Sequence, residues 1–294
     1  MLTLSTLSTP AAGQALSSQQ AASSLQIKFF CTNWGMQEPW DSFCSKVKEA
    51  GYDGVETWMP SRDEEIKAMF DAFEKYGLEF IFLSSGNGKD FDAYLENFKE
   101  NLDRLVRYKP VLINCHTGKD HFSFEQNEAL IAAGNAVSAE SGIPVIHETH
   151  RGRFSFAAHI TREYLEKIPD LRLTLDISHW CNVHESLLDD QEEAVALAIS
   201  RTEHIHTRVG FPEGPQVNDP RAPEWKSVLE RHLEWWDRVV EAKLKNGSRL
   251  LTVTPEFGPP GYMPTLPYTG QPVASQWDIN EYMMNLLKAR YAKE

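Results

Sequence analysis

The sequence lacks several things that would have assigned it quickly. It has no apolar run long enough to span a membrane. Its four cysteines, Cys31, Cys44, Cys115 and Cys181, form no C-x-x-C pair. That spacing suggests neither a zinc knuckle nor a disulfide framework, and reduced thiols in a cytoplasmic protein are the expectation. Positive charge is also short: 29 Lys and Arg stand against 42 Asp and Glu, for a net charge of −13. A nucleic-acid partner usually demands a basic surplus to meet the phosphates, so the balance points away from one. No G-x-G-x-x-G or P-loop follows the first strand-like run, which argues against an open dinucleotide-binding or nucleotide-binding sheet. Residues 1–25 carry no charged side chain, no basic n-region and no solid apolar stretch. They read as a flexible extension rather than a secretory signal.

What is present is a regular alternation. Short β-like runs fall at 27–32, 54–58, 79–83, 111–115, 144–148, 172–176, 204–208 and 250–256. Helix-like segments lie between them, for example 40–50, 62–76, 92–107, 124–141 and 223–244, and a last one fits 278–292. Eight strands, each followed by helix, predict a single (β/α)8 TIM barrel over residues 26–294. The Pro- and Gly-rich stretch 257–274 should be a long loop after the eighth strand. Parity gives the strands a direction. Leu171, Leu173 and Leu175 share one face, and Arg172, Thr174 and Asp176 the other; Leu251 and Val253 oppose Thr252, Thr254 and Glu256. Helices cover the outside of a barrel, so the polar faces should point inward, becoming acidic or imidazole-bearing at the C-terminal ends where barrel enzymes act.

Glu148, Asp176, His206 and Glu256 lie at four such ends. Three carboxylates brought together without a cation would resist ionisation. One bound divalent metal removes the conflict, and a mixed O/N set suits Mn2+, Mg2+, Co2+ or Zn2+. Nine of the ten histidines lie between His116 and His206. His179, three residues past Asp176, is expected to face substrate or support a ligand; His204 sits one inward step below His206. His121, His159 and His184 read as surface residues. Trp34 and Trp58 after the first two strands, and Phe257 after Glu256, are candidates to pack on a substrate, with Trp180 beside His179. Glu56 reads as a supporting carboxylate, while Arg151 and Arg153 could meet an anionic group or simply be solvated.

These residues carry a resemblance. Gly51-Tyr-Asp-Gly-Val-Glu56, His147-Glu148-Thr-His-Arg-Gly-Arg153, Leu175-Asp176-Ile-Ser-His179, His204-Ile-His206 and Pro255-Glu256-Phe257 resemble strand-end motifs of the xylose isomerase-like TIM-barrel superfamily over about residues 26–290. In its ketose 3-epimerases the matching four positions bind one metal, and the two glutamates double as acid and base. The matching His179 and Arg208 contact substrate oxygens. The resemblance therefore implies a metal-dependent sugar isomerase or epimerase that abstracts a proton α to a carbonyl through an enediolate, with Glu148 and Glu256 catalytic. His116, Trp34, Trp58 and Phe257 would complete the substrate site.

A keto-inositol dehydratase-type lyase on the same site is one alternative, and a non-catalytic sugar-binding barrel another. The superfamily's apurinic endonucleases fit less well. Strand three ends in Ser-Ser-Gly rather than histidine, and no Asp-x-His pair follows His206. The expected partner is a small sugar or polyol; self-association into a homo-oligomer, the identity of the metal and the phosphorylation of the substrate stay open.

Overall fold

Side-chain alternation decides the architecture. In the computed structural model, which describes residues 25–292, eight parallel strands close into a barrel in sequence order. They are β1 (Gln26–Thr32), β2 (Gly54–Trp58), β3 (Glu79–Ser84), β4 (Ile113–Cys115), β5 (Val145–Glu148), β6 (Leu173–Leu175), β7 (Thr202–His206) and β8 (Leu250–Thr254). β1 closes the ring by pairing with both β2 and β8. The helices are α1 (Trp40–Ala50), α2 (Asp63–Tyr76), α3 (Phe91–Leu105), α4 (Phe124–Ser141), α5 (Ala158–Lys167), α6 (Ile177–Val183), α7 (Glu192–Ser200), α8 (Lys226–Lys245) and α9 (Gln276–Tyr291). The expected eight-stranded barrel forms. Four strands, β4, β5, β6 and β8, are shorter than their β-like runs: β6 and β8 stop before Asp176 and Glu256, while β7 keeps its length but begins two residues earlier than expected and ends at His206. The short α6 is an addition to the simple alternation, and Asp176 caps it by accepting the Ser178 amide at 3.1 Å.

The aliphatic faces of the strands pack outward against the helices in one large cluster that includes Leu173, Leu175, Ile205, Leu251 and Val253. A second, separate cluster of Phe30, Ile81, Leu112 and Ile146 fills the barrel interior. Apolar plug below and polar residues above give the interior its polarity gradient.

The residues 51–56 show how sequence builds this. Gly51 ends α1 at φ 90°, a left-handed conformation that suits glycine. The Asp53 carboxylate accepts the Phe29 amide at 2.8 Å and so ties β1 to the β2 entry. Gly54 must be glycine: a Cβ there would lie 2.3 Å from the Glu79 carbonyl oxygen and 2.5 Å from the Phe30 ring of the interior plug. Val55 then points out and Glu56 in.

The expected extension 1–25 lies outside the described residues except for Leu25, which is buried against the core. The four cysteines are buried and unpaired. Among the described residues no helix is long and apolar enough to cross a membrane.

Two histidines are sealed into the outer layer. On β5, His147 faces α4, where Gly134 lets the helix pass close to the ring, and Thr117 Oγ1 lies 2.6 Å from its Nδ1. On α8, His232 donates from Nδ1 to the Val228 carbonyl and accepts the Gly210 amide at Nε2. Burial holds both neutral, pushing His147 down to about 3 and His232 to about 4. Above about pH 6.5 neither state protonates them. Below it the unfolded chain takes up protons the folded chain refuses, and stability falls by about 1.4 kcal/mol per pH unit for each. We therefore expect His232→Gln to lose about 2–3 kcal/mol less than the native chain between pH 6.5 and 4.5. Urea midpoints across that window measure it, and parallel profiles would contradict it.

Candidate active site

The shortness of β6 and β8 frees Asp176 and Glu256 to lean over the barrel axis. There they meet Glu148 at the end of β5 and His206 at the end of β7. One ligand atom from each of the four lies within 4.8 Å of all the others, and all four residues are buried. The backbone of this ring is stitched across strands. Thr149 Oγ1 receives the Asp176 amide at 2.8 Å and donates to the Asp176 carbonyl at 2.9 Å, and the Ser155 hydroxyl donates to the Glu148 carbonyl.

Beneath the ring sits a buried polar layer. The Glu56 carboxylate receives Asn114 Nδ2 at 3.0 Å and lies 3.3 Å from His204 Nε2 and 3.1 Å from His206 Nε2. Asn114 also donates to Glu148 Oε2 at 3.1 Å, and His204 Nδ1 is 2.7 Å from Thr252 Oγ1. Glu56 is thus a support, not a member of the ring, and His204 belongs to the supporting layer with it. Their arrangement turns Nδ1 of His206 toward the ring. That nitrogen and Glu148 Oε1 are buried and make no hydrogen bond, although Glu256 Oε2 lies 3.1 Å from the nitrogen.

The site carries an excess of negative charge. Four carboxylates (Glu56, Glu148, Asp176 and Glu256) face one guanidinium, that of Arg208, and a few imidazoles. Arg208 bonds Asp176 and lies 3.3 Å from Glu256 Oε2. Burial pushes Asp176 up to about 6 despite Arg208 beside it, with Glu148 and Glu256 adding to the rise. Burial also opposes charge on His206, but Glu256, Glu56 and Glu148 lift it well above the usual histidine range. Glu148 and Glu56 stay well below the carboxylate range against their burial, held there by His116 and His206 and by His206 and His204 respectively. A divalent cation among these donors would neutralise the excess and satisfy the two unbonded atoms, so the residues fit one metal.

Above the ring, a cavity of about 200 Å³ opens at the C-terminal mouth. Glu148, Glu256, Arg208, His116, Trp34 and Trp58 all line it, joined by three residues the sequence had not singled out for the site: His150, Tyr262 and Leu83. His116 Nε2 lies 2.9 Å from Glu148 Oε2. The Tyr262 ring sits under the guanidiniums of both Arg208 and Arg151, each 4.9 Å from its centroid. His150 packs between His116 and His179, and its Nδ1 is 2.6 Å from the Arg151 carbonyl, which leaves Nε2 as its free lone pair.

His179 stands one row back. It is fully buried, off the cavity wall, with Nε2 2.8 Å from Arg208 Nη2. Glu148, His150 and His179 form another group within ligand distance, but Arg208 donates into His179 and its charge disfavours a second cation there. Phe257 does not reach the mouth. Parity turns it away from the interior next to Glu256, and it is buried in the outer core. Trp180 is likewise packed, its Nε1 donating to the Ser155 carbonyl. His184 accepts the Ala158 amide at the start of α5. A larger cavity, about 500 Å³, lies at the opposite end of the barrel beside Val111, Pro144, Arg172 and Leu250. None of the clustered carboxylate and imidazole groups lines it, and barrel enzymes place chemistry at the other end.

The family model for the xylose isomerase-like TIM barrel matches residues 44–233. No curated protein matches the chain. Among solved structures the chain is similar to a probable 3-DHS dehydratase from Bacillus anthracis, at 14% identity and TM-score 0.58, covering 90% of this chain and 99% of that one. It is similar to a 3-keto-D-glucoside 4-epimerase from E. coli, at 14% identity and TM-score 0.57, covering 90% and 100%. A D-allulose 3-epimerase from Methylomonas sp. gives 15% identity and TM-score 0.58, covering 91% and 99%. At these identities the likeness shows the barrel fold alone.

The supporting layer has a measurable energetic role. Glu56→Ala removes the partner of Asn114, His204 and His206 Nε2 at once and leaves buried polar groups uncompensated. Breaking such a pair costs about 3–5 kcal/mol. Chemical denaturation of the metal-free protein should show a loss of that size; a loss under about 1 kcal/mol would mean that water or rearrangement replaces Glu56 at little cost.

Proposed function

We propose that this chain, which belongs to the xylose isomerase-like TIM-barrel family, is a divalent-metal-dependent isomerase or epimerase acting on a small sugar or related polyol. The reading rests on one observation above the others: Glu148 and Glu256, from well-separated parts of the barrel wall, line the same mouth cavity and belong to the same ligand group. β5 and β8 are separated by two strands on one side and four on the other. A substrate carbon held between them has a carboxylate on each side.

Glu148, Asp176, His206 through Nδ1, and Glu256 would hold the metal. A divalent ion bound there supplies Lewis acidity to the substrate's carbonyl and hydroxyl oxygens. The protein's own groups do the rest. One glutamate removes the proton α to the carbonyl, giving an enediolate. The other returns a proton to the opposite face, which epimerises, or to the adjacent carbon, which isomerises. Arg208, walled into the cavity, offers a guanidinium to the developing negative charge, and His179 fixes that guanidinium from behind. Trp34, Trp58 and Tyr262 offer apolar faces for the C–H surfaces of a sugar ring and exclude water from the reacting carbon. His116 and His150 present imidazole nitrogens to substrate hydroxyls. Two of the similar structures are named as epimerases and one as a probable dehydratase, reaction classes that correspond to this reading and to its lyase alternative.

Two outcomes are expected. The purified protein, dialysed against Mn2+ and analysed for metal, should hold about one ion per chain; none after reconstitution would remove the metal from the reading, and three would favour the endonuclease class. In D2O, substrate turned over should gain deuterium at the reacting carbon, and Glu148→Gln should slow turnover by about 10²–10⁴-fold while still folding. Full retention of the substrate hydrogen would instead indicate a hydride shift, with the glutamates acting as ligands only. A product that lacks the elements of water would assign a lyase.

A further inference from the structure

The Glu256 carboxylate reaches the ring from a stretch of chain that has left the sheet. β8 ends at Thr254, whose carbonyl accepts the Thr207 amide at 2.9 Å. The next residue, Pro255, has no N–H to continue a ladder. Yet the backbone of residues 256–258 is buried and cannot be left unbonded. Three side chains take the place of the missing strand. Arg208 Nη1 donates to the Glu256 carbonyl at 3.4 Å. Asn280, on α9, receives the Phe257 amide at 2.8 Å and donates to the Phe257 carbonyl at 3.0 Å. Gln216, on the loop between β7 and α8, receives the Gly258 amide at 2.7 Å and donates to the Gly258 carbonyl at 3.4 Å.

Each carboxamide therefore grips both polar groups of one residue, as a neighbouring strand would. Asn280 and Gln216 are themselves buried, with 2% and 3% of their surface exposed, so water does not compete for these bonds. The grip extends to the cavity wall. Gly258 lies against the Trp34 ring, where an added Cβ would come within 2.4 Å, and the Trp34 carbonyl receives Gln276 Nε2 at 2.7 Å.

We propose that Asn280 and Gln216 are positioning residues for Glu256: their paired carboxamide bonds fix the backbone that aims its carboxylate into the ring. The proposal rests on the reading of that ring as a metal site. Without the grip, the segment between Pro255 and the long loop has no regular partner, and the carboxylate would sample positions away from the other three donors. Side chains that orient a metal ligand in this way typically contribute about 10–100-fold to affinity.

The test uses near-isosteric replacements that keep volume and remove the bonds, Gln216→Met and Asn280→Leu, each in the full chain, beside Glu256→Gln. Metal-free proteins are titrated with Mn2+ in a calorimeter, and their thermal melts report the fold separately. Each clamp variant is expected to bind Mn2+ about 10–100-fold more weakly while melting as a folded protein. A role confined to global stability would lower the melt and leave the affinity of the folded protein unchanged, and that result overturns the proposal. The two variants lie on different elements, so the failure of one to fold leaves the other decisive. Native affinity in both clamp variants, with weakened binding in Glu256→Gln, overturns the clamp alone. Native affinity in Glu256→Gln overturns the metal reading, and the clamp with it.

Discussion

Carboxylates held together inside a barrel are the constraint around which this structure is organised. Each would be stabilised by water at the surface, and each loses that hydration here. The interior therefore assembles compensation in every direction: Arg208 against Asp176 and Glu256, His206 between three glutamates, and Asn114 bridging Glu56 and Glu148. The compensation is incomplete in a specific way. The unbonded atoms of Glu148 and His206 belong to the same four-residue group whose donors converge, which is the arrangement a divalent cation would complete.

The barrel sets up this chemistry by layering. The plug of Phe30, Ile81, Leu112 and Ile146 closes the interior from below. A layer of supporting polar residues rests on it, then the ring of ligand candidates, then the aromatic mouth. Each layer changes what the next can do. The plug keeps water from the polar layer, so its hydrogen bonds act in a low effective dielectric and fix geometry firmly. Glu56, bonded from three sides, can then hold the His206 ring at Nε2 and leave Nδ1 to the site. Gly54 is part of the same stack, because the plug needs Phe30 and Phe30 leaves no room for a side chain at 54.

Short strands carry a cost in backbone hydrogen bonds and a gain in reach. Where β6 and β8 stop early, Asp176 and Glu256 are freed from the pleat and can turn over the axis. The bonds that a longer strand would have made come instead from Thr149, Asn280 and Gln216. The same exchange places the mouth under the control of loops: Tyr262, from the Pro- and Gly-rich stretch, packs on Trp34 and on two arginines.

The sequence by itself determined the barrel, because strand alternation has a period of two and eight such runs interleave with helical ones. It also determined which residues face inward at the strand ends, and so brought Glu148, Asp176, His206 and Glu256 into view together. Parity carries one step further: Phe257, next to inward-facing Glu256, turns into the outer core instead of the mouth. It has no hold inside α6, where His179 came to stand behind Arg208 and not on the cavity wall. His150 and Tyr262 lie in loops, and Asn280 and Gln216 lie 24 and 40 residues from Glu256 along the chain. No local pattern marks them. Only the closure of the barrel, which packs α9 and the β7–α8 loop against the end of β8, decided that they meet.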